Sequence, residues 1–379
     1  MSSNGSNGND KSMVFIQLTG GNDALNTVIP YTDGQYFDNR PTVGFDREKV
    51  LPLDDKLSLN PAMAPIKNLY DRGKVAIING IGYPTPSRSH FRSMDIWHTA
   101  EPTKVINEGW LGKTVRELDP NGENVLTAVN FGRGLPRALS ANGVPVASVG
   151  DLATYGLYPD IKDDQIRQQT LAMFSQMYGG SGRDAVKEFI HQTGQGVLKG
   201  ADILGTAPQK YSSSVEYADN PLAKSLKDVA QIMFADIGTR IYYTGQGSYD
   251  HHSGEVPLHT GLIGDMSSAV SDFMDDMEEH GYDKDTIIVI FSEFGRRIKD
   301  NGSGTDHGSG GVAFVIGGSV NGGLYGDQPS LKSDDQLEGD MHFSNDFRGT
   351  YTELLEDWMG VDAPSIVNGN FEKLNFTGK

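Results

Sequence analysis

The sequence predicts an α/β sandwich built around a mostly parallel sheet. Two observations support this prediction. Short runs rich in β-branched and aromatic residues alternate with longer segments of helical period, and glycines mark the ends of the apolar runs. Strands that are separated by helices tend to pair in parallel, because each helix returns the chain to the edge from which the strand began.

Each element has its own signal. MVFIQLTGG is an apolar run that ends in a glycine turn, NPAMAPIKNLYDRG has helical period and a glycine stop, and GLIGDMSSAVSDFMDDMEEHG is strongly amphipathic. The predicted strands are 13–21, 74–83, 124–132, the first part of 239–252, and the runs in 286–295 and 311–318. The predicted helices are 60–73, 89–100, 261–281 and 344–360, together with a long, mainly helical middle at about 163–238.

The domain organisation follows from these elements. Residues 1–12, MSSNGSNGNDKS, are polar and glycine-rich, which is typical of a flexible tail. Residues 13–379 show no internal repeat and no linker. We therefore expect a single domain from 13 to 379, with a mainly helical insertion around 163–238.

The composition excludes several classes of function. Acidic residues outnumber basic ones by 50 to 32 and no Lys/Arg run is present, which disfavours nucleic acid and anionic membrane surfaces as partners. The chain has no cysteine, so disulfides, thiolate metal sites and cysteine nucleophiles are excluded. No apolar run approaches the roughly 18 to 20 residues of a membrane helix. Any metal chemistry must use His, Asp and Glu.

Polar clusters lie where an open α/β sheet binds its ligands, beyond the carboxyl ends of the strands. Four of them directly follow predicted strands, and the fifth precedes the last core strand. They are Asp23 in GGND, Ser87 and Ser89 in PTPSRSH, Asp250, His251 and His252 in YDHH, Glu293 in SEFGR, and Asp306 and His307 in TDHG. Segments that are distant in sequence can therefore converge on one edge of the sheet.

Each cluster also has an ordinary structural explanation. An Asp in a glycine turn usually serves the turn, and a Ser at a helix start is most often an N-cap. Asp250 and His252 are also consistent with an ordinary polar loop that has no binding role. Glu293 follows the apolar run TIIVIF directly and needs a partner, which the nearby Arg296 can supply. The joint pattern, more than any single residue, favours a site.

Several segments resemble the motifs of a family of exported bacterial proteins, the domain-of-unknown-function family 1501, within the alkaline phosphatase and sulfatase superfamily. These segments are LTGGNDALNTVIPY, GYPTPSRSHFRSMDIWHTA, GWLGK, YDHH, FSEFGR and GTDHGSGGVAFVIGG, and the resemblance extends from about Met13 to Asp362. It implies an alkaline phosphatase-like three-layer sandwich. It also implies export through the twin-arginine pathway, and thus a periplasmic or extracellular location.

The resemblance further implies a two-metal site at the carboxyl edge of the sheet. The first metal group would be Asp23, Ser89 and Glu293, and the second Asp250, His252 and His307. In such a site, paired ions clamp the attacking and leaving oxygens of a phosphate or sulfate ester. Mixed oxygen and imidazole ligands suit Zn or Mn better than Ca or Mg, which stay as alternatives.

The chain departs from the superfamily pattern at two places. Pro84 stands where sulfatases begin the nucleophile helix with Cys or Ser, so the nucleophile must be Ser89 or Ser87. Glu293 and Phe294 stand where relatives commonly have an Asp-His pair, so one imidazole ligand is missing. We prefer His252 to His251 as a ligand, because an Asp and a His two residues apart can both reach one ion from a turning loop.

Two functions are consistent with these residues. The first is a metal-dependent hydrolase of phosphate or sulfate esters, acting on a small-molecule or polysaccharide ester. The alternative is an exported, non-catalytic binding or assembly protein that keeps the fold and a structural metal. The retained acids and histidines favour the hydrolase, whereas the missing histidine and the ambiguous serine favour the alternative.

Overall fold

A nine-stranded sheet sets the position of the candidate site residues. The computed structural model describes residues 11–152 and 203–378, together with a few residues between 165 and 200. Within these residues the strand order is β11-β5-β10-β9-β1-β8-β6-β7, and β12 also pairs with β5. The strands of this sheet are β1 (Ser12–Leu18), β5 (Val75–Gly82), β6 (Ala128–Phe131), β7 (Ala147–Val149), β8 (Ile241–Gln246), β9 (Thr286–Ser292), β10 (Gly311–Ile316), β11 (Gly323–Tyr325) and β12 (Asn345–Asp346). A small antiparallel sheet contains β2 (Val28–Ile29), β3 (Leu51–Pro52) and β4 (Ser58–Leu59).

The large sheet is parallel except at one strand. β1 pairs in parallel with β8 and β9, while β10 runs antiparallel to both of its neighbours, β5 and β9. The start of β10 therefore lies at the edge where the parallel strands end. This direction explains how the TDHG loop, which precedes a strand, shares an edge with loops that follow strands.

Helices cover both faces of the sheet. They are α1 (Ala24–Thr27), α2 (Gly34–Asn39), α3 (Ala64–Asp71), α4 (His90–Thr99), α5 (Trp110–Leu118), α6 (Pro221–Phe234), α7 (Glu255–His280), α8 (Phe347–Glu353) and α9 (Ala363–Val367). A π-helical turn, Leu354–Met359, continues α8 and ends at Gly360 in the left-handed conformation. None of the described helices combines the length and apolar character needed to cross a membrane.

The alternation of side chains along β1 divides the core in two. Val14 and Ile16 face a hydrophobic cluster that includes residues of α3, α6 and α7, whereas Met13 and Phe15 face a second cluster with residues of α4, α5 and α8. The architecture is therefore a three-layer α/β sandwich with a mostly parallel central sheet, and the predicted fold class is confirmed.

The predicted domain boundaries fall partly outside the described residues. Residues 1–10 of the predicted tail and most of 163–202 in the predicted helical insertion lie there, whereas 203–238, which include α6, are described. Ser12, which the prediction assigned to the tail, is the first residue of β1. The single domain with its insertion stays a prediction.

Candidate metal centre

Three side chains from separate loops meet at the carboxyl edge of the sheet. His90 is the first residue of α4, Asp250 follows β8, and His307 precedes β10. One ligand atom from each lies within 4.8 Å of the others. The Nε2 atoms of His90 and His307 are 3.0 Å apart, and Asp250 Oδ1 is 3.1 Å from Nε2 of His307. We call His90, Asp250 and His307 the metal group.

The far side of each imidazole is held by an acceptor. Nδ1 of His90 donates to Oε1 of Glu293 over 2.8 Å, and Nδ1 of His307 donates to the backbone carbonyl of Arg88 over 2.8 Å. A carboxylate and a carbonyl can only accept, so each Nδ1 carries the hydrogen. In the neutral imidazoles, both Nε2 atoms therefore present lone pairs to each other and to Asp250.

This arrangement fits a divalent cation. Two imidazole lone pairs and a carboxylate oxygen repel one another at 3.0–3.4 Å unless a positive charge lies among them. Bonds of about 2.0–2.1 Å in a tetrahedral zinc site imply ligand–ligand distances of about 3.3 Å. Nitrogen and oxygen donors with orienting partners behind the histidines are the usual composition of such sites.

His252 adds a third imidazole to the metal group. Its Nε2 lies 3.0 Å from Oδ1 of Asp250 and 3.1 Å from Nε2 of His307. Its Nδ1 donates to Asp306 over 3.0 Å, so this Nε2 also presents a lone pair. His252 is therefore available as a fourth ligand.

The metal group is open to solvent on one side and supported by a buried cation on the other. The side chains of His90, Asp250 and His307 are 29%, 45% and 23% exposed. Arg296, which is 1% exposed, donates to Oδ1 of Asp250 over 2.7 Å. Although burial opposes it, this guanidinium lowers the pKa of Asp250 to about 2. Asp250 is thus a charged ligand throughout the neutral pH range.

Arg296 also joins the loops of the site. Its guanidinium donates to the backbone carbonyls of Gly20, Gly21, Tyr249 and Thr305, in addition to Asp250. One buried positive charge is thus surrounded by oxygen atoms from the ends of β1 and β8 and from the TDHG loop. The sequence suggested Arg296 as a partner of Glu293, but the hydrogen bonds of Arg296 go to other residues.

Glu293 is instead the partner of His90. Its side chain is fully buried and accepts from His90, from the backbone N–H of Gly20 at 2.9 Å and from the hydroxyl of Ser292 at 3.0 Å. The hydrogen bond to Glu293 raises the pKa of His90. With these partners, Glu293 orients a ligand and does not itself face the metal group.

Asp23 has a salt-bridge partner in the structure. Both of its oxygens accept from the guanidinium of Arg40, and both side chains are at most 2% exposed. Within the described ranges, no hydrogen bond or ion pair joins Asp23, Ser89 and Glu293 to one another. Asp23 thus forms a buried ion pair, and its role as a metal ligand together with Ser89 and Glu293 stays a prediction.

The two candidate serines differ in their contacts. Ser87 Oγ accepts the backbone N–H of Ser89 at 3.3 Å, as a turn-forming serine does. Ser89 occupies the N-cap position of α4, directly before His90, but makes no side-chain capping bond. Ser89 lines a cavity of about 500 Å³ together with Phe91, Met94 and His98.

His251 points away from the metal group. It is 7% exposed, and its ring centre lies 6.3 Å from that of the buried His259. Burial lowers the pKa of His251. Of the two neighbouring histidines, only His252 contacts Asp250 among the described residues.

Small residues allow the loops to approach closely. A Cβ atom at Gly304 would lie 2.4 Å from the carbonyl oxygen of His251, and one at Gly20 would lie 2.6 Å from the backbone nitrogen of Asp250. Gly20 also has a φ of +122°, which L residues rarely adopt. The glycines of the GGND and GTDHG motifs thus serve the convergence of the ligand loops.

His90 is the site residue that sequence reasoning missed. In the SRSHF motif, only the serines were predicted as site residues. Its position at the first turn of a helix after a core strand was a usable signal, because the ring there faces the same edge as the other clusters.

The chain was also compared with known proteins. The sequence model of a family described as "Protein of unknown function (DUF1501)" matches residues 82–356. No curated protein matches the chain.

Solved structures similar to the chain include three of related architecture. The lipoteichoic acid synthase LtaP from Listeria monocytogenes is 8% identical, with a TM-score of 0.40 over 89% of this chain and 77% of that one. The alkaline phosphatase from the Antarctic bacterium TAB5 is 9% identical, with a TM-score of 0.35 over 82% and 92%. A protein in the alkaline phosphatase superfamily from Vibrio parahaemolyticus is 9% identical, with a TM-score of 0.34 over 84% and 62%. The chemistry has to be derived from the site itself.

Proposed function

Since the chain belongs to the DUF1501 family, whose function is unknown, we propose from its own site that it is a metal-dependent hydrolase of phosphate or sulfate esters. The observation that supports this proposal most directly is the meeting of the Nε2 atoms of His90 and His307 with the Asp250 carboxylate in a solvent-accessible position. Structural metal sites are usually closed by four protein ligands, whereas catalytic sites keep a position open.

Each residue has a role in this proposal. His90, Asp250 and His307 would hold a divalent cation, with Zn or Mn favoured, and would leave the fourth position open, with His252 beside it. Glu293, Asp306 and the Arg88 carbonyl fix the orientation of the three rings. When bound, the cation supplies Lewis-acid chemistry to an ester oxygen. Arg296 keeps the Asp250 carboxylate in place and charged.

We assign the attack on the ester to Ser89. Its side chain is exposed, it precedes His90 directly, and no hydrogen bond to its hydroxyl is present among the described residues. The Ser87 hydroxyl is already engaged with the Ser89 backbone. The ester is a small-molecule or polysaccharide ester, and we propose that the protein acts as an exported enzyme in the periplasm or outside the cell.

Metal analysis and a substrate screen test the proposal. Protein stripped with a chelator and dialysed against Zn or Mn should retain the metal and hydrolyse one of an aryl phosphate, a phosphodiester or an aryl sulfate. Retention should weaken as the pH falls, because protons compete for the imidazoles. His90→Ala and His307→Ala should lose the metal. His280→Ala is a matched control, since His280 lies at the end of α7 and its polar contacts in the described structure are the backbone carbonyls of Ser212 and Asp276 and the Asp276 carboxylate.

Two results would decide against the hydrolase. Wild-type protein that retains no metal contradicts the metal centre. Protein that retains metal but turns over none of the three ester classes supports the alternative, a non-catalytic binding or assembly protein with a structural metal.

A further inference from the structure

Glu255 is a buried acid at the base of the ligand loops that the proposed chemistry does not use. It is the first residue of α7, three positions after His252, and it is 1% exposed. An acid in the first turn of a helix interacts favourably with the helix dipole and is commonly at the surface. A carboxyl group this deeply buried requires polar partners.

These partners come from the second ligand loop. Oε2 of Glu255 accepts from the hydroxyl of Thr305 over 2.6 Å, and Thr305 lies two residues before His307. The backbone N–H of Glu255 donates to the carbonyl of Ser303 over 3.1 Å, and the N–H of Gly254 donates to the Ser303 hydroxyl over 3.0 Å. Glu255 therefore connects the loop that carries Asp250 and His252 to the loop that carries His307.

The other oxygen of Glu255 connects the same loops to the core. Oε1 accepts from Asn26 over 3.2 Å, and Asn26 also donates to the backbone carbonyl of Val43. Burial, together with the charge of the neighbouring Asp23, raises the pKa of Glu255. The contribution of Glu255 to the site is the geometry of its hydrogen bonds.

We propose that Glu255 is a positioning residue of the metal centre, which holds the loops 250–252 and 303–307 at the separation where Asp250 and His307 meet. This inference rests on the proposed function, because it assigns to Glu255 an effect on metal affinity. Partners outside the ligand set typically change metal affinity by about 10–100-fold when they are removed.

Three variants test the proposal through metal affinity, measured by calorimetry with Zn. Glu255→Ala removes the hydrogen bonds to Thr305 and Asn26 and should weaken Zn binding by about 10–100-fold. Glu255→Gln keeps the side-chain length and one acceptor oxygen, which can still accept from Thr305 and hold the two loops together, so this variant should bind Zn nearly as the wild type does. Asp276→Ala is the control, because Asp276 is also buried on α7 but accepts from Tyr211 and Tyr217. It should lower the unfolding free energy without changing Zn affinity.

Backbone hydrogen exchange in the metal-free protein gives a readout that does not depend on the metal. Residues 303–307 should exchange faster in Glu255→Ala than in the wild type, and at the wild-type rate in Asp276→Ala and Glu255→Gln. If Glu255→Ala binds Zn as tightly as the wild type, or if Asp276→Ala weakens binding equally, the positioning role is overturned. A wild-type protein that binds no divalent metal overturns the proposed function, and the metal role of Glu255 with it.

Discussion

Replacing Asp23 by asparagine separates two roles for this residue, the salt bridge that the structure shows and the metal ligand that the sequence suggested. The substitution leaves the guanidinium of Arg40 buried without its counter-charge. Breaking a buried ion pair from one side costs about 3–5 kcal/mol. Arg40 keeps its bonds to the carbonyls of Ile298 and Arg297, and the introduced amide can still accept one N–H, so we expect the lower end, about 3 kcal/mol.

Urea denaturation of chelator-treated protein measures this loss, and Asp33→Asn is the matched control. Asp23 and Asp33 both cap short helices through a backbone N–H, but Asp33 has no basic partner among the described residues. Because asparagine caps a helix as well as aspartate does, Asp33→Asn should be nearly neutral.

The pH dependence gives a second check on the same pair. Arg40 outweighs the effect of burial and lowers the pKa of Asp23 to about 2, from an ordinary value of 3.8. A lowered pKa contributes stability that is fully present above the unfolded-state value and is lost as the pH falls through the folded-state value. The difference between wild type and Asp23→Asn should therefore narrow below about pH 3.8 and largely disappear near pH 2. Unchanged stability together with lost metal would refute the reasoning and restore Asp23 as a ligand.

Three further predictions concern single side chains. Glu293→Gln should keep the fold but lower Zn affinity by about 10–100-fold, because His90 loses its orienting carboxylate; unchanged affinity in calorimetry would contradict this role. Ser89→Ala should abolish ester hydrolysis while metal retention stays at the wild-type level. Ser87→Ala should mainly cost about 0.5–1 kcal/mol in urea denaturation, through its lost turn hydrogen bond; the reverse outcome would move the nucleophile to Ser87. Glu353→Ala should destabilise the protein by about 3 kcal/mol or more, since this buried carboxylate accepts hydrogen bonds from three backbone N–H groups and one hydroxyl of the segment 374–377. If that segment stays resistant to proteases in the variant, the hydrogen bonds of Glu353 do not hold it in place.

The elements of the core were readable from the sequence because each has a local signal. The apolar run of β9 and the amphipathic period of α7 depend on residues close together in the chain. β9 begins at the predicted residue, Thr286, whereas α7 begins at Glu255, six residues before its predicted start. The direction of β10 has no such signal, since an apolar run reads the same in a parallel or an antiparallel strand. The sequence therefore predicted that the polar clusters lie at the carboxyl edge of the sheet, but it did not predict which strands and loops are adjacent there.

The partners within the site depended on residues far apart in the chain. The family resemblance implied that Asp23 is a metal ligand, but its partner Arg40 lies on a separate short segment, at the C-terminal end of α2. Glu293 was expected beside Arg296, whereas the fold brings His90 to it from 203 residues away. Loop packing decides which of several acids binds a cation and which binds an arginine. No local sequence pattern indicates the outcome.

The strand order also has a consequence for how the protein matures. β10 is the last long strand in sequence, yet it lies between β5 and β9. The part of the sheet that contains β5 and the part that contains β9 therefore stay separate until β10 inserts between them. His90 and His307 are 217 residues apart, and they can share an ion only after that insertion. Under the proposed function, the cation would therefore not template early folding but bind the finished chain, and it would add about 2.7 kcal/mol at a free concentration of 100 times its Kd. A chain cut short before β10 should emerge without its metal, so metal retention distinguishes completely synthesised molecules from incomplete ones.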